Sequence, residues 1–540
     1  MIFKRIHKRV EIINILIGIL FAIVYVSLPT RMHFGDGLYY AFHIEKIPVN
    51  QAFHPHHLLW LPIMHYLYST FHSILPSLRA MVFLQAFNAV CGGFAVFLIG
   101  YIVSLISGNR IAGIMASLTL GLSWGMLHYA ADANVYVPVL TLALFDFALI
   151  TGSRQLDYGK SLFATIIMVL ISSLHQIGFF FSFAILAAII IRSPKYQRIK
   201  VAIRCSIIYV ILNIVLYGSV FMAIINTISN PFQKNPFTWI TAFGRNRDYW
   251  SLFSLGFLGA QKSFDRSQFN LFFHIIDQNK AFHEGGYHES TFILILYGLV
   301  QLIILVTIFY ELYCLIRHKN IRWRETRIIL LTWFIPFYIF NQFFCAFDVG
   351  YKLLYLAPLI MIWTFQLLDS STRFVLIVKK AIPVILIAIA IWNFADGVVP
   401  DTKPENNPYF REALEIMPYV DKSDLVLFTE KERYTSAVLR CYSKADSVFV
   451  RENPFMIPSE AVNVSSINQQ TIEFLSSRYK RIIVSDALWN STMDEWHLPD
   501  GHIPPPYPEI MIVKRTNLIN INQEHGNRKL VYTMDELKWE

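Results

Sequence analysis

Three short polar stretches in an otherwise apolar chain hold the residues that can do chemistry. The first runs Arg31-Met-His-Phe-Gly-Asp-Gly-Leu-Tyr-Tyr40 and is followed by Phe53-His-Pro-His-His57. Asp36 stands between Gly35 and Gly37, which predicts an exposed carboxylate on a pliable turn. His54, His56 and His57 face it across the same loop. The second stretch, His128-Tyr-Ala-Ala-Asp-Ala-Asn-Val-Tyr136, offers Asp132, Asn134 and Tyr136, and the third, Ser173-Leu-His-Gln176, offers His175. Arg245 and Arg247, in a long polar-aromatic loop, and Lys352, beside Asp348 and Tyr351, add cations. A positioned carboxylate can take the proton of an acceptor hydroxyl. Cations and hydrogen-bond donors can stabilise a departing anion. Each residue alone has an ordinary explanation: Asp132 as a helix cap, His175 as a satisfied core histidine, Lys352 as a snorkelling interfacial lysine. Their convergence on one membrane face argues for a site.

The elements that position these residues are membrane helices. The 540 residues are 55% hydrophobic and only 15% charged, against roughly 25% charged in soluble domains. Apolar runs long enough to cross a bilayer recur from Ile12 to Phe394, and they are continuous, not alternating. The chain reads as a polytopic α-helical membrane protein of about eleven transmembrane helices. The net charge of +9 comes from basic residues in short loops, the pattern of the positive-inside rule, which leaves no nucleic-acid partner to expect. Lys4, Arg5, Lys8 and Arg9 place the N-terminus in the cytoplasm. Leu58–Leu75 carries a polar stripe of His65, Ser69, His72 and Ser73 and is expected to lie in the interface. With that choice, the basic turns downstream fall on the cytoplasmic side, and the loop 228–289 and the C-terminus lie outside. Asp146, inside a span, costs roughly 2.5–3.5 kcal/mol if central. Five cysteines show neither a disulfide framework nor metal-ligand spacing.

After Asp396 the composition turns charged and proline-punctuated. The expected division is a transmembrane module over 1–398, a linker over 399–408 and an extracytoplasmic domain over 409–540. In that domain Leu425–Thr429, Ser447–Val450 and Ile482–Ser485 read as buried strands, with Ile510–Lys514 as an added one. Helical stretches at Glu432–Cys441 and Gln469–Ser477 separate them, the pattern of a small α/β domain with a parallel sheet. It shows no phosphate loop or nucleophile elbow, so it is expected to be dispensable for the chemical step.

Gly35-Asp36-Gly37-Leu-Tyr-Tyr, Phe53-His-Pro-His-His-Leu-Leu-Trp60, Ala131-Asp132-Ala-Asn-Val-Tyr136 and Ser173-Leu-His-Gln176 resemble the GT-C superfamily of membrane glycosyltransferases. The resemblance is nearest to its protein O-mannosyltransferase-like and lipid A sugar-transferase-like branches, especially a bacterial group with a His-Pro-Pro-Gly first loop. The tail motif Asp424-Leu-Val-Leu-Phe-Thr429 is similar to that group too. The likeness covers roughly residues 10–200, and its motifs are short. It implies an inverting transfer of a sugar from a polyprenyl-phosphate donor to a glycan, lipid or protein acceptor, at the outer face of a bacterial inner membrane. Asp36 and Asp132 match its carboxylates. The substrate-binding candidates are His54, His56, His57, Tyr136, His175, Arg245, Arg247 and Lys352. Two features depart from the family: Asp36 stands alone where many relatives carry paired acids, and His56-His57 replaces the usual Pro-Gly. A divalent cation is left open by this pattern, and no other cofactor is implied. The competing readings are a transporter or flippase, and a membrane sensor or scaffold.

Overall fold

The structure is a computed structural model that describes residues 2–33, 35–51, 53, 55–153, 155–224, 256–274, 291–317, 321–346, 348–369, 373–428, 433–443, 446–449, 481–484 and 530–533. The long apolar runs satisfy their backbone as helices. In chain order these are α1 (Ile2–Ser27), α2 (Gly35–Lys46), α3 (Trp60–Ile74), α4 (Ala80–Ser107), α5 (Arg110–Leu122), α6 (Trp124–Ala130), α7 (Tyr136–Gly152), α8 (Tyr158–Leu174), α9 (Phe181–Arg192) and α10 (Arg198–Ile224). There follow α11 (Gly256–Phe272), α12 (Thr291–Arg317), α13 (Ile321–Phe343), α14 (Val349–Asp369) and α15 (Arg373–Trp392), which continues into a π-helical turn, Asn393–Val398. The C-terminal part adds α16 (Pro408–Ile416), β1 (Asp424–Phe428), α17 (Arg433–Tyr442), β2 (Asp446–Phe449), β3 (Arg481–Val484) and β4 (Leu530–Thr533).

The chain is a polytopic α-helical membrane protein. Helices underlie each of the expected apolar runs. Among the described residues five are long and apolar enough to cross a membrane, or six if α5 and α6, bent by 63°, form one broken span. The candidate spans do not include α3. The chain divides into two compact units: one of residues 1–30, 49–66 and 84–402, the other of residues 31–48, 67–83 and 403–540. The second unit therefore takes two pieces from the first loop region as well as the C-terminal part. The segment expected to be a plain linker holds short helical turns at Val399–Asp401 and Pro404–Asn406 and the start of α16.

In the first unit α14 is central. It is buried on every side from Val349 to Ile362, as an all-round apolar helix must be. By contrast α10, α12 and the α15 span are only 22%, 28% and 6% buried, which marks them as the lipid-facing rim. An aromatic core of Phe147, Phe181 and Trp333 joins α7, α9 and α13, with centroids 5.5 and 4.8 Å from Trp333. α1 and α4 approach backbone to backbone: a Cβ on Gly93 would stand 2.5 Å from the Gly18 carbonyl oxygen, the small-residue contact by which membrane helices pack. Arg327 holds α12, α13 and α14 together through Glu311 (2.8 Å) and Asp369, all inside the helix bundle. The loop 228–289 is not wholly irregular, because it contains α11. That helix buries Phe264, Gln268 and Leu271, an amphipathic pattern too polar on average to stand out among the neighbouring spans.

In the second unit the sheet order is β2-β1-β3-β4. β1 pairs in parallel with β2 and β3, with Leu425 opposite Asp446 on one side and Ile482 on the other. β4 closes the sheet antiparallel, Ile483 facing Val531. The expected strand at Ile510–Lys514 and helix at Gln469–Ser477 lie outside the described residues. α16 begins where its sequence says it should. The Asn407 side chain accepts the backbone N–H groups of Tyr409 and Phe410, and Pro408 occupies the first turn.

Candidate functional site

The second motif is the most firmly built of the three. The bend between α5 and α6 leaves carbonyls without helical partners, and the Asn393 side chain donates to that of Leu122 at 2.8 Å. α6 then delivers residues 131–135 into a tight turn that α4 grips from its buried side. The Asn88 amide nitrogen donates one hydrogen to the Asp132 carbonyl and the other to that of Asn134, both at 2.7 Å. Gln85 bonds the Ala131 and Thr30 carbonyls, and the Thr30 N–H donates to Ala131. Asp132 is fully buried. It does not cap α7, whose N-cap Val135 has no side-chain bond. Asn134 does that work, accepting the Tyr136 N–H at 3.0 Å and donating to the Tyr129 carbonyl at 2.8 Å. A side chain nearer the helix than Asp132 is better placed for the first free N–H.

His175 sits where α8 ends and a 3-10 turn, Gln176–Phe180, begins. Its Nδ1 accepts the Ile177 N–H at 3.1 Å, so the neutral ring carries its proton on Nε2. The ring lies 4.5 Å from His57, 5.2 Å from Tyr136 and 5.5 Å from Tyr351, centroid to centroid. The Leu59 N–H donates to the Ser173 carbonyl at 2.9 Å, tying the His56-His57 turn to α8. The structure thus brings His57, Tyr136 and His175 together. His56 is half-buried, and burial pushes its imidazole down to about 4.

Lys352 does not snorkel. It is fully buried, and its ammonium donates to the Ala346 carbonyl at 2.7 Å and to that of Asp348 at 3.2 Å, 4.8 Å from the Phe264 ring centre. The turn it holds is strained, because Cys345 has φ 49°, a region that costs a non-glycine residue about 1–3 kcal/mol. The Asp348 carboxylate accepts the Gly350 N–H at 2.7 Å and the Tyr129 hydroxyl at 3.3 Å. A lysine near a helix start reads as interfacial, and the turn's carbonyls with the Phe264 ring explain why this one turns inward.

Asp36 belongs to the second unit, whereas His56 and His57 belong to the first. It is not on a pliable turn but in the first turn of α2, where it is exposed. The two glycines cost the helix about 1 kcal/mol each, which burial of Leu38, Tyr40, Ala41, Phe42 and Ile44 outweighs. A negative charge in the first turn also favours the helix. α17 supplies much of the packing: the Cys441 thiol donates to the Leu38 carbonyl, and the Arg440 guanidinium lies 4.9 Å from the Phe42 ring centre. Arg79 pairs with Glu45 at 2.8 Å and donates to the Ser443 and Arg440 carbonyls. One turn beyond Asp36, Tyr39 has its phenol pushed up by burial and then by the Asp36 charge.

Of the other candidates, His54, Arg245 and Arg247 lie outside the described residues. Among the described residues no three His, Cys, Asp or Glu side chains converge as metal ligands would. Asn88 and Gln85 were missed from sequence, whereas Asn134 was singled out there without its capping role. A lone amide in an apolar run was the available signal, since a buried polar group must find partners.

No family model matches the chain, and no curated protein matches it. Solved structures do resemble it. The oligosaccharyltransferase of Archaeoglobus fulgidus in the apo form has a TM-score of 0.44 at 12% identity, over 89% of this chain and 70% of that one. The same protein in complex with Zn and sulfate gives 0.44 at 12%, over 88% and 68%. ArnT from Cupriavidus metallidurans bound to undecaprenyl phosphate gives 0.45 at 10%, over 96% and 97%.

Proposed function

We propose that the protein is an inverting glycosyltransferase that moves a sugar from a polyprenyl-phosphate donor to a glycan, lipid or protein acceptor. The motif likeness suggests the reaction class, and the exposure of Asp36 carries the assignment of its base. Of the two motif carboxylates, Asp36 is exposed and Asp132 is fully buried. Only an accessible carboxylate can meet an incoming hydroxyl without prior rearrangement. Asp36 takes the hydroxyl proton as the oxygen bonds to the anomeric carbon. The bond from that carbon to the phosphate oxygen breaks on the opposite face, and polyprenyl phosphate leaves with the electron pair. Asp132 then belongs to the frame, in a turn fixed by Asn88.

His56, His57, Tyr136 and His175 are assigned to the donor as hydrogen-bonding and stacking groups. Lys352 is withdrawn from that role, because its ammonium is committed to two carbonyls. The proposed location is a bacterial inner membrane, with the N-terminus in the cytoplasm and the second unit outside. The bent pair α5 and α6 is the observation that favours a transporter, since broken spans line many substrate paths.

The test uses purified protein with a panel of polyprenyl-phosphate hexoses and simple glycoside acceptors. Transfer with inverted stereochemistry is expected, together with build-up of one lipid-linked sugar in cells lacking the gene. Movement of a lipid-linked sugar across vesicles without any transfer would replace this reading with the transporter.

A further inference from the structure

The second unit buries a histidine that the proposed reaction has not used. His43 lies on α2, is 7% exposed, and among the described residues neither of its ring nitrogens has a hydrogen-bond partner. Buried polar groups are nearly always paired, and a native exception calls for a function, a water or a ligand. Its position narrows the choice. Asp36, Tyr39 and His43 recur at helical spacing, so they share one face of α2. Along the helix axis Asp36 and His43 are about 10 Å apart, with the Tyr39 ring between them, 4.0 Å from that of His43. Burial, and then the Arg440 charge, hold the His43 imidazole down at about 3. The ring is therefore neutral at physiological pH and presents one donor and one acceptor.

A neutral donor–acceptor pair beside an aromatic ring matches a sugar: a hydroxyl both gives and takes a hydrogen bond, and the pyranose face packs on the ring. We infer that His43, with Tyr39, forms a sugar-hydroxyl subsite on the same helix face as Asp36. The inference deepens the transferase reading and rests on it for the direction of the sugar. The sugar comes either from the lipid donor or from the acceptor, and the two are separable by experiment.

The full-length protein in nanodiscs is titrated with undecaprenyl-phosphate hexoses, with undecaprenyl phosphate lacking a sugar, and with methyl glycosides, for wild type, His43→Phe and His43→Gln. For His43→Phe the expected result is about a ten-fold weaker affinity for whichever sugar-bearing probe occupies the subsite, the cost of one or two neutral hydrogen bonds. Affinity for the sugar-free lipid should be unchanged. Gln, which keeps a donor and an acceptor, should restore most of the loss. Loss on the hexose lipids assigns the subsite to the donor, and loss on the glycosides assigns it to the acceptor.

The melting temperature separates function from support. Removing an unpaired buried group should leave it unchanged or raise it, whereas a merely structural histidine would lower it. Wild-type affinity for every sugar probe in His43→Phe would overturn the inference. So would an equal loss for the sugar-free lipid with a lowered melting temperature. If the sugar probes bind through His43 but no transfer is ever seen, the subsite stands and the transferase reading fails.

Discussion

Asn88 offers the sharpest test of how the second motif is held. Its amide group donates both hydrogens at 2.7 Å, to the carbonyls of Asp132 and Asn134. A leucine side chain has nearly the same shape with no donor, so Asn88→Leu strands two buried carbonyls. Two neutral hydrogen bonds at about 0.5–1.5 kcal/mol each give about 1–3 kcal/mol, or about 5–150-fold in the local opening equilibrium. The readout is hydrogen exchange of the peptide covering 128–136 in the intact protein. Local opening sets that rate, and the Tyr136 N–H depends on Asn134 staying in place. Asn88→Asp should be worse at alkaline pH than Asn88→Leu, because an ionised carboxylate meets two acceptors. It should recover partly in acid, where one proton restores one bond. Exchange within two-fold of wild type in Asn88→Leu, with the fold retained, would refute the claim that α4 fixes this turn.

Asp36→Asn should cut turnover by about 10²–10⁴-fold with donor affinity and stability kept, while Asp132→Asn should lower the melting temperature more than turnover; measuring both quantities on both variants checks the division of labour. Lys352→Met should cost about 1–2 kcal/mol of stability by removing a donor from the Asp348 and Ala346 carbonyls, the second of which keeps the Ser267 hydroxyl, with donor affinity kept; weakened donor binding at unchanged stability would return Lys352 to the phosphate. Cys345→Gly relieves a positive φ and should stabilise by about 1 kcal/mol, seen as a higher melting temperature. His56 is neutral in the folded protein, with its imidazole lowered from 6.5 to about 4. Its contribution to stability is full above pH 6.5 and lost as pH falls toward 4, because the unfolded chain takes up the proton first. His56→Gln should flatten the pH dependence of the melting temperature in that window, and an unchanged slope would contradict it.

The helices were plain from the sequence, since a run such as Ala80–Ser107 has no alternative to a helix inside lipid. The parallel strands at β1, β2 and β3 were legible for a related reason: short apolar runs flanked by polar residues are buried most simply as strands. What could not be read were features set by distant partners. Asp36 looked like a turn residue because two glycines flank it, and the apolar stripe from Leu38 to Ile44 becomes decisive only once α17 is known to cover it. Asp132 looked like a cap because it precedes α7, yet Asn134 competes for the same N–H from a better distance. Lys352 looked interfacial because nothing local announces the carbonyls of Ala346 and Asp348 as its partners. α11 stayed hidden in a polar loop because its buried face is completed by residues on other helices.

The scattered origin of the second unit sets a clock on biogenesis. The Leu38 carbonyl and the Cys441 thiol that meet in it are 403 residues apart. At about 5–20 residues per second, about 20–80 s of synthesis separates them. Throughout that time α2 waits with Leu38 and Phe42 lacking the helix that will cover them, while the membrane helices between are made. The helix bearing Asp36 is thus among the first parts translated and among the last to settle. A nascent chain that stalls anywhere before α17 leaves Asp36 on an unfinished support, so the C-terminal part completes the setting of the carboxylate.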